Sequence, residues 1–261
     1  MDAFDDEKEI VSFLQDIQPS GICMMNRLDD EKRIFETIYE PEQWGKWHHS
    51  FGKGDPPPDF YCDSQKLMLE VMRVDDHAFV SKKGKIVNPY KKRESELMNE
   101  LKEKGILDNR PDMKVFFSAN TGLSTEEDHN YIFYRDNFNR VVEAHKKKIN
   151  IYKKNHPGYK IIFLIFDESS AYCESVSASK TAFFLGKEIQ AYRHCHFLDS
   201  AFLKSFIHSE IDYLIWFSPY KYIETTDGRI FTEPTICIYN TRYAILNAIH
   251  YPESKMISYE K

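Results

Sequence analysis

The sequence predicts a single α/β domain over residues 1–261, a sandwich of helices around a mixed sheet. The strands predicted at 159–166 and 212–217 contain continuous apolar runs, residues 161–166 and 213–217, which are typical of strands buried on both faces. Helical patterns lie between these runs, so a right-handed crossover is the expected connection between them. The chain has 261 residues, of which 15% are aromatic, and this bulk excludes a disordered protein.

In the first half of the chain, two helices precede a strand pair and a third helix. Residues 5–17 carry one apolar stripe at helical spacing, and residues 29–40 begin with acidic side chains that suit a helix N-terminus. After three prolines, residues 59–62 and 66–74 have the composition of strands joined by a turn. A helix is then predicted at about 92–104.

The second half alternates strands and helices and ends in a hairpin. Residues 114–118 predict a strand, and residues 134–154 predict a long lysine-rich helix that a His-Pro-Gly sequence ends. Further helices are expected at about 179–192 and 198–208. An Asp-Gly turn predicts a hairpin over residues 220–233.

No segment predicts a membrane span or a secretion signal. The longest apolar run has six residues, whereas a bilayer span needs about 20. The acidic N-terminus lacks the basic and then apolar layout of a signal peptide. The five cysteines are scattered and form no Cys-x-x-Cys pair, so disulfides and thiolate zinc sites are not expected. We therefore expect a cytoplasmic protein without a membrane partner.

The net charge of −6 conceals two basic segments. Residues 82–93 carry six basic side chains and residues 146–154 carry five, with no acidic residue in either segment, so the rest of the chain carries −17. This asymmetry suits a surface that binds nucleic acid, DNA or RNA, although solvated lysine-rich surfaces explain it equally well. A homodimer is compatible with the sequence. The candidate nucleic-acid-binding residues are Lys82, Lys83, Lys91, Lys92, Lys146 and Lys147.

The strand pair that begins at Asp59 brings two acidic residues face to face. If its loop has two or four residues, Asp59 lies directly across from Glu70, whereas a three-residue loop sends them to opposite faces. Opposed residues have Cβ atoms about 4.5–5.5 Å apart, so two carboxylates there repel unless a cation neutralises them. Because Mg²⁺ prefers carboxylates and water as ligands, the pair predicts a Mg²⁺ (or Mn²⁺) site.

Pro58 and Asp59, followed after about ten residues by Glu70 in an apolar strand, resemble the motif of the PD-(D/E)xK nuclease superfamily. The resemblance implies the restriction-endonuclease-like fold, a three-layer sandwich whose core runs helix, three-stranded meander, helix and strand. That core corresponds to about 29–217, and residues 218–261 would be an elaboration that contains the hairpin.

The same resemblance implies a function for the acidic pair. Asp59 and Glu70 would hold the metal ion of a nuclease that hydrolyses nucleic-acid phosphodiesters. The helix before the meander often supplies a further acidic ligand in this family, which indicates Glu36 or Glu40 here.

One position departs from the family pattern. Met72 stands where the motif has a lysine, and a thioether neither positions an attacking water nor stabilises developing negative charge. Lys66 shares strand parity with Glu70 and is the predicted catalytic replacement, while Arg73 and a lysine of the 134–154 helix are alternatives. Without such a replacement, the domain would be a non-catalytic module that binds nucleic acid or protein.

Histidines suggest two weaker alternatives. A metal-dependent hydrolase of an unrelated class would use four residues, His48, His49, Asp75 and His77, although surface loops explain them better. An extended segment would place His194 and His196 on one face as a chelate, but a buried-edge strand or a loop explains this pair better.

Overall fold

A seven-stranded mixed sheet forms the centre of the computed structural model. The structure describes residues 7–19, 21–26, 29–50, 58–106, 129–176, 191–224 and 230–259. The described strands are β1 (Ile22–Met24), β2 (His48–His49), β3 (Phe60–Cys62), β4 (Leu67–Val74), β5 (Phe79–Val80), β6 (Ile86–Val87), β7 (Lys160–Asp167), β8 (Tyr172–Ser175), β9 (Ala191–Arg193), β10 (Tyr213–Phe217), β11 (Tyr222–Glu224), β12 (Ile230–Thr232), β13 (Ile236–Asn240) and β14 (Met256–Ser258). The described α-helices are α1 (Glu7–Asp16), α2 (Asp29–Tyr39), α3 (Pro41–Trp44), α4 (Pro89–Glu103), α5 (Tyr131–Lys146), α6 (Ile149–Asn155) and α7 (Ser200–Leu203). None of these helices combines the length and the apolar character that a membrane crossing requires.

The strands of the central sheet lie in the order β1-β13-β10-β7-β4-β3-β2. Strands β4, β7 and β10 are parallel neighbours, while β13 runs antiparallel to β10 and parallel to β1. At the other side of β4, strands β2, β3 and β4 form an antiparallel meander. Helices α5 and α6 lie between β4 and β7 in the chain, as a crossover between parallel strands requires. This part of the chain therefore contains helix α2, the meander, helices α5 and α6, and the parallel strand β7.

Alternate residues of β4 enter two separate hydrophobic cores. Leu67 and Leu69 pack with residues of α1 and α2, whereas Met68 and Met72 pack with residues of α5, α6 and α7. Because successive side chains of a strand point to opposite faces, Glu70 faces the same helices as Met68 and Met72. The sheet is thus covered by helices on both faces, as the continuous apolar runs predicted.

The predicted helices of the first half are confirmed as α1, α2 and α4. The helix predicted over 134–154 is instead two helices, α5 and α6, which are separated by Lys147 and Lys148. The backbone N–H of Lys148 bonds to the carbonyl of His145, three residues earlier, at 3.0 Å. This tighter turn ends α5 and lets α6 start in a new direction.

The buried strands predicted at 159–166 and 212–217 are confirmed as β7 and β10, and β11 pairs with β12 as the hairpin predicted over 220–233. The elaboration predicted at 218–261 also supplies β13, which lies inside the central sheet between β1 and β10. The C-terminal segment is therefore part of the main core.

Three predicted elements have a different outcome. The strand at 114–118 and most of the helix at 179–192 lie outside the described residues. The last two residues of that second segment belong to strand β9 (Ala191–Arg193), which pairs with β8. Within 198–208 the described α-helix is limited to α7, which Asp199 caps through its side chain.

Candidate functional site

The hairpin of β3 and β4 places Asp59 directly opposite Glu70. Phe60 pairs with Leu69 across a four-residue turn, so the residue before Phe60 faces the residue after Leu69. The Oδ2 atom of Asp59 accepts a hydrogen bond of 2.7 Å from the backbone N–H of Val71. The predicted register is therefore confirmed, and the two acids share one face of the hairpin.

Glu70 is only 3% exposed, and one of its carboxylate oxygens is held by α5 and α6. Its Oε1 atom accepts a hydrogen bond of 2.6 Å from the hydroxyl of Tyr152 and lies 2.7 Å from Nδ1 of His145. The ammonium of Lys148 lies 3.9 Å from the same oxygen. The Oε2 atom is buried and has no hydrogen-bond partner among the described residues. A buried carboxylate oxygen without a partner is costly, so it marks a position for a bound cation or water.

The environment of Asp59 favours its neutral form. Burial, followed by the charge of Glu70, raises the pKa of Asp59 to about 7. The N–H of Val71 and the ammonium of Lys148 lower this pKa, but they do not offset the other two effects. A cation bound beside the two carboxylates would supply the positive charge that the proton supplies in its absence.

Lys148 replaces Lys66 as the lysine at this carboxylate pair. Lys66 is exposed in the turn between β3 and β4, where its φ of 53° places it in the left-handed region. It lies four residues before Glu70, which corresponds to about 13 Å along a strand. The parity argument for Lys66 was therefore insufficient, because the strand begins only at Leu67. Met72 is buried in the core against α5 and α6 and takes no part in the site.

The other alternative, Arg73, is engaged elsewhere. Its guanidinium forms two hydrogen bonds of 2.9 Å with the carboxylate of Glu168, just after β7. As the neighbour of Met72 along β4, Arg73 has the opposite parity to Glu70 and points to the other face of the sheet.

Glu36 and Glu40 are not brought to the carboxylate pair. Helix α2 packs on the face of the sheet that Leu67 and Leu69 occupy, while Glu70 points to the opposite face. Glu36 lies 3.6 Å from the exposed ammonium of Lys32, and Glu40 is exposed just after α2. The sheet therefore separates both residues from the metal position that the resemblance implied for them.

The basic candidates occupy several exposed segments. Lys82 and Lys83 form the tip of the β5–β6 hairpin, and Lys91 and Lys92 lie in the first turns of α4. Lys92 pairs with Glu96 at 4.0 Å.

The remaining two candidates, Lys146 and Lys147, lie at the end of α5, just before Lys148 in the chain. Lys147 is exposed next to Lys148. Lys146 bonds to the carboxylate of Glu143 at 2.6 Å and to the carbonyl of Ser205 at 2.8 Å.

The histidine set predicted for an unrelated hydrolase is divided between two places. His48 lies 4.0 Å from Asp63 beside the β3–β4 turn. Asp75 lies beyond the other end of β4, where its Oδ1 accepts hydrogen bonds from the N–H groups of His77 and Ala78. His194 and His196, for which the sequence favours a strand or a loop over a chelate, bond to different partners, Asp199 at 2.8 Å and Ser218 at 3.2 Å.

His77 instead belongs to a group with Asp76 and His129. One ligand atom from each of the three residues lies within 4.8 Å of the others, and this is the sole group of three such ligands within the described ranges. Asp76 is completely buried. Burial opposes ionisation of Asp76, but a hydrogen bond with His129 and the charges of both histidines lower its pKa overall.

A second buried network follows β7. The Oδ2 atom of Asp167 accepts hydrogen bonds from the Tyr134 hydroxyl at 2.5 Å and from Nε1 of Trp216 at 2.8 Å. The buried ammonium of Lys221 lies 3.5 Å from the same oxygen and donates to the hydroxyl of Ser169 at 2.5 Å. Lys221 also donates to the carbonyl of Ser170 at 3.1 Å, and the hydroxyl of Ser170 donates to Asp76 at 2.7 Å, so the buried charges after β4 and at the end of β7 are connected.

Sequence reasoning found the two acids and left a lysine of the 134–154 helix open as an alternative, which corresponds to Lys148. It did not assign His145 and Tyr152 to the acids. His145, Lys148 and Tyr152 stand at spacings of three and four, which place side chains on one face of a helix. That spacing is the signal that the sequence offers, but it does not show which strand residue this helix face contacts. Comparisons with protein-family models, curated proteins and solved structures gave no match.

Proposed function

We propose that this protein is a divalent-metal-dependent phosphodiesterase that hydrolyses nucleic acid. The observation that carries the proposal is the direct opposition of Asp59 and Glu70, with the ammonium of Lys148 3.9 Å from the Glu70 carboxylate. Two carboxylates completed by water are a donor set that Mg²⁺ or Mn²⁺ accepts. Such a cation would give the buried Oε2 of Glu70 a partner. It would also stabilise the ionised form of Asp59, whose pKa is otherwise raised.

The chain order supports the restriction-endonuclease-like part of this proposal. The PD-(D/E)xK resemblance implies a helix, a three-stranded meander, a helix and a strand. The described elements α2, β2–β3–β4, α5 and β7 occur in that order, and β7 joins β4 as a parallel neighbour. Helix α3 lies between α2 and the meander, β5, β6 and α4 lie between β4 and α5, and α6 precedes β7. Glu70 lies in the meander strand β4 and Asp59 lies immediately before the meander strand β3, the positions that the resemblance implies for the metal ligands.

Each residue has a distinct proposed role. When bound, the cation would polarise a phosphoryl oxygen and lower the pKa of a bound water. Asp59 and Glu70 would hold it, and the hydroxyl of Tyr152 keeps the Glu70 carboxylate in one orientation. Lys148 would stabilise negative charge that develops on the phosphate, which is the role of the lysine missing from the motif.

The substrate assignment rests on charge. The exposed Lys148 lies beside Glu70, the exposed Lys147 precedes it in the chain, and Lys153 and Lys154 follow in α6. Phosphate contacts by several lysines would make binding depend strongly on salt concentration.

A non-catalytic module on the same scaffold is the second candidate. Met72 favours it, because the position of the motif lysine is filled by a buried thioether. In that case the lysine-rich surface would bind nucleic acid without hydrolysis.

Calorimetric titration with Mn²⁺ tests the metal site. We expect binding by the wild type, loss of binding in Asp59→Asn and in Glu70→Gln, and unchanged binding in Glu143→Gln. Glu143 is a matched control because it is a half-exposed acid on α5, paired with Lys146 rather than with the site. If the wild type does not bind Mn²⁺, the proposal of a metal-dependent phosphodiesterase is overturned.

Cleavage assays with labelled DNA and RNA, single- and double-stranded, separate the two candidates. Mg²⁺-dependent cleavage that is lost in Glu70→Gln supports the enzyme. Salt-dependent binding without turnover, measured on the same substrates, supports the non-catalytic module.

A further inference from the structure

We propose that Asp76, His77 and His129 form a binding site for a transition metal of the zinc class, separate from the acidic pair. Nδ1 of His129 lies 3.2 Å and 3.3 Å from the two carboxylate oxygens of Asp76. Nε2 of His77 lies 3.7 Å from Oδ1 of the same carboxylate, and the two imidazole rings meet edge to face with centroids 4.6 Å apart. Three ligand atoms therefore already surround one small volume.

The orientation of the Asp76 carboxylate is determined by groups that are not ligands. Its Oδ2 atom accepts hydrogen bonds from the N–H of Ser170 at 3.1 Å, from the hydroxyl of Ser170 at 2.7 Å and from the hydroxyl of Tyr172 at 2.7 Å. These donors occupy one oxygen and leave Oδ1 directed at the histidines. Hydrogen-bonded carboxylates of this kind are typical of metal sites, where outer groups orient the ligands.

The backbone around the site is held in place as well. The carbonyl of Asp75 accepts a hydrogen bond of 3.0 Å from Asn137 of α5, and Oδ2 of Asp75 accepts one of 2.8 Å from Asn88. The ring of Tyr90 stacks on His77 at 4.6 Å. A site assembled in this way needs little rearrangement to receive an ion.

The donor set selects the class of metal. Two imidazole nitrogens and one carboxylate oxygen suit Zn²⁺ and similar transition metals, whereas Mg²⁺ prefers an all-oxygen set. Three protein ligands also leave a fourth position open for water or another ligand. His129 is partly exposed, which gives that position access to solvent.

The location separates this ion from the proposed nuclease centre. Asp76 follows Glu70 by six residues along and beyond β4, roughly 20 Å for an extended chain. It lies at the carboxyl ends of β4 and β7, the edge at which open α/β sheets bind ligands. The two sites would thus bind different metals independently.

Titration with Zn²⁺, and with Co²⁺ as a spectroscopic probe, tests this site on the full chain. We expect one tight Zn²⁺ per chain and visible d–d absorption from four-coordinate Co²⁺. His129→Gln should weaken Zn²⁺ binding by more than roughly 100-fold and abolish the Co²⁺ spectrum. Tyr172→Phe, which removes only an orienting hydrogen bond, should weaken it by about 10-fold. Zn²⁺ should also raise the thermal midpoint of the wild type but not of His129→Gln.

Two controls make the result decisive. His250→Gln alters an exposed histidine outside the group and should leave Zn²⁺ binding unchanged. Glu70→Gln should also leave it unchanged, so failure of the nuclease proposal and failure of this one are distinguishable. Circular dichroism checks that His129→Gln is folded. If that variant is unfolded, the Co²⁺ titration is made on His77→Gln, whose spectrum should also be lost. The proposal would be overturned if the wild type does not bind Zn²⁺, or if His250→Gln loses as much Zn²⁺ affinity as His129→Gln. The group would then be a buried ion pair without a metal.

Discussion

The hydroxyl of Tyr152 donates a hydrogen bond of 2.6 Å to Oε1 of Glu70, and both residues are buried. This bond joins the short helix α6 to the middle of strand β4. It places a carboxylate within an otherwise apolar contact between a helix layer and the sheet. The acid is stabilised there because His145 and Lys148 contribute polar and positive groups at the same oxygen.

Tyr152→Phe should therefore destabilise the protein. The variant keeps the ring but removes a hydrogen bond to a charged acceptor, which is worth about 1.5–3 kcal/mol. Urea unfolding measures this as a lower midpoint with an unchanged slope. Tyr192→Phe is the control, since the Tyr192 side chain is exposed and its loss should change the free energy of unfolding by less than about 0.5 kcal/mol. Equal effects of the two changes would contradict the role given to Tyr152.

The raised pKa of Asp59 predicts a particular pH dependence. The carboxyl has an ordinary pKa of 3.8 but one of about 7 in the folded chain, so the folded state holds its proton more tightly. The resulting stabilisation is present at low pH and is lost as pH rises from about 4 to about 7. Asp59→Asn should remove this part of the dependence, as measured by urea unfolding across that window. Identical pH profiles of the variant and the wild type would show that Asp59 does not cause it.

Glu70→Gln should lower the pKa of Asp59. The substitution removes the repulsive negative charge, which is the second cause of the raised pKa, while burial continues to act. The pKa should therefore fall below about 7 without reaching the ordinary value of 3.8. Carboxyl chemical shifts followed by NMR during an acid titration measure this change directly. No change would mean that the two carboxylates are not electrostatically coupled.

Lys148→Met should reduce phosphodiester cleavage, if the proposed function holds, with a smaller effect on substrate binding. Loss of one group that stabilises developing negative charge lowers kcat by about 10²–10³. Lys66→Met provides the comparison, because the exposed turn position of Lys66 is remote from the acids. A large loss of kcat in Lys66→Met, with normal activity in Lys148→Met, would instead favour the assignment made from strand parity.

The buried pair of Asp167 and Lys221 should respond unequally to substitution. Asp167→Asn leaves the ammonium of Lys221 buried without its carboxylate and should cost about 3–5 kcal/mol. Lys221→Met should cost less, because Asp167 keeps hydrogen bonds from Tyr134, Trp216 and Ser169. Urea unfolding of both single variants and of the double variant gives the coupling energy. If Lys221→Met loses more free energy of unfolding than Asp167→Asn, then the buried Asp167 depends on Lys221 more than Lys221 depends on Asp167.

Much of the local structure followed from short-range patterns. An apolar stripe located α1, the acidic start of residues 29–40 located α2, a helical pattern located α4, and continuous apolar runs located β7 and β10. These inferences succeed because the side-chain period and the buried face of an element are properties of the segment itself. The helix over 134–154 was the exception, since its break at Lys147 and Lys148 lies within a pattern that is helical on both sides.

The sequence by itself predicted that Asp59 faces Glu70 for a turn of two or four residues, because turn length and strand register decide which residues are opposed. The four-residue turn between Cys62 and Leu67 decided that question in the structure. Only the tertiary structure decided what surrounds the two acids. His145 and Tyr152 meet Glu70 from 75 and 82 residues away, and Asp76 meets His129 from 53 residues away. Such contacts depend on how helices pack on the sheet and where a helix changes direction, and local spacing carries no information about either.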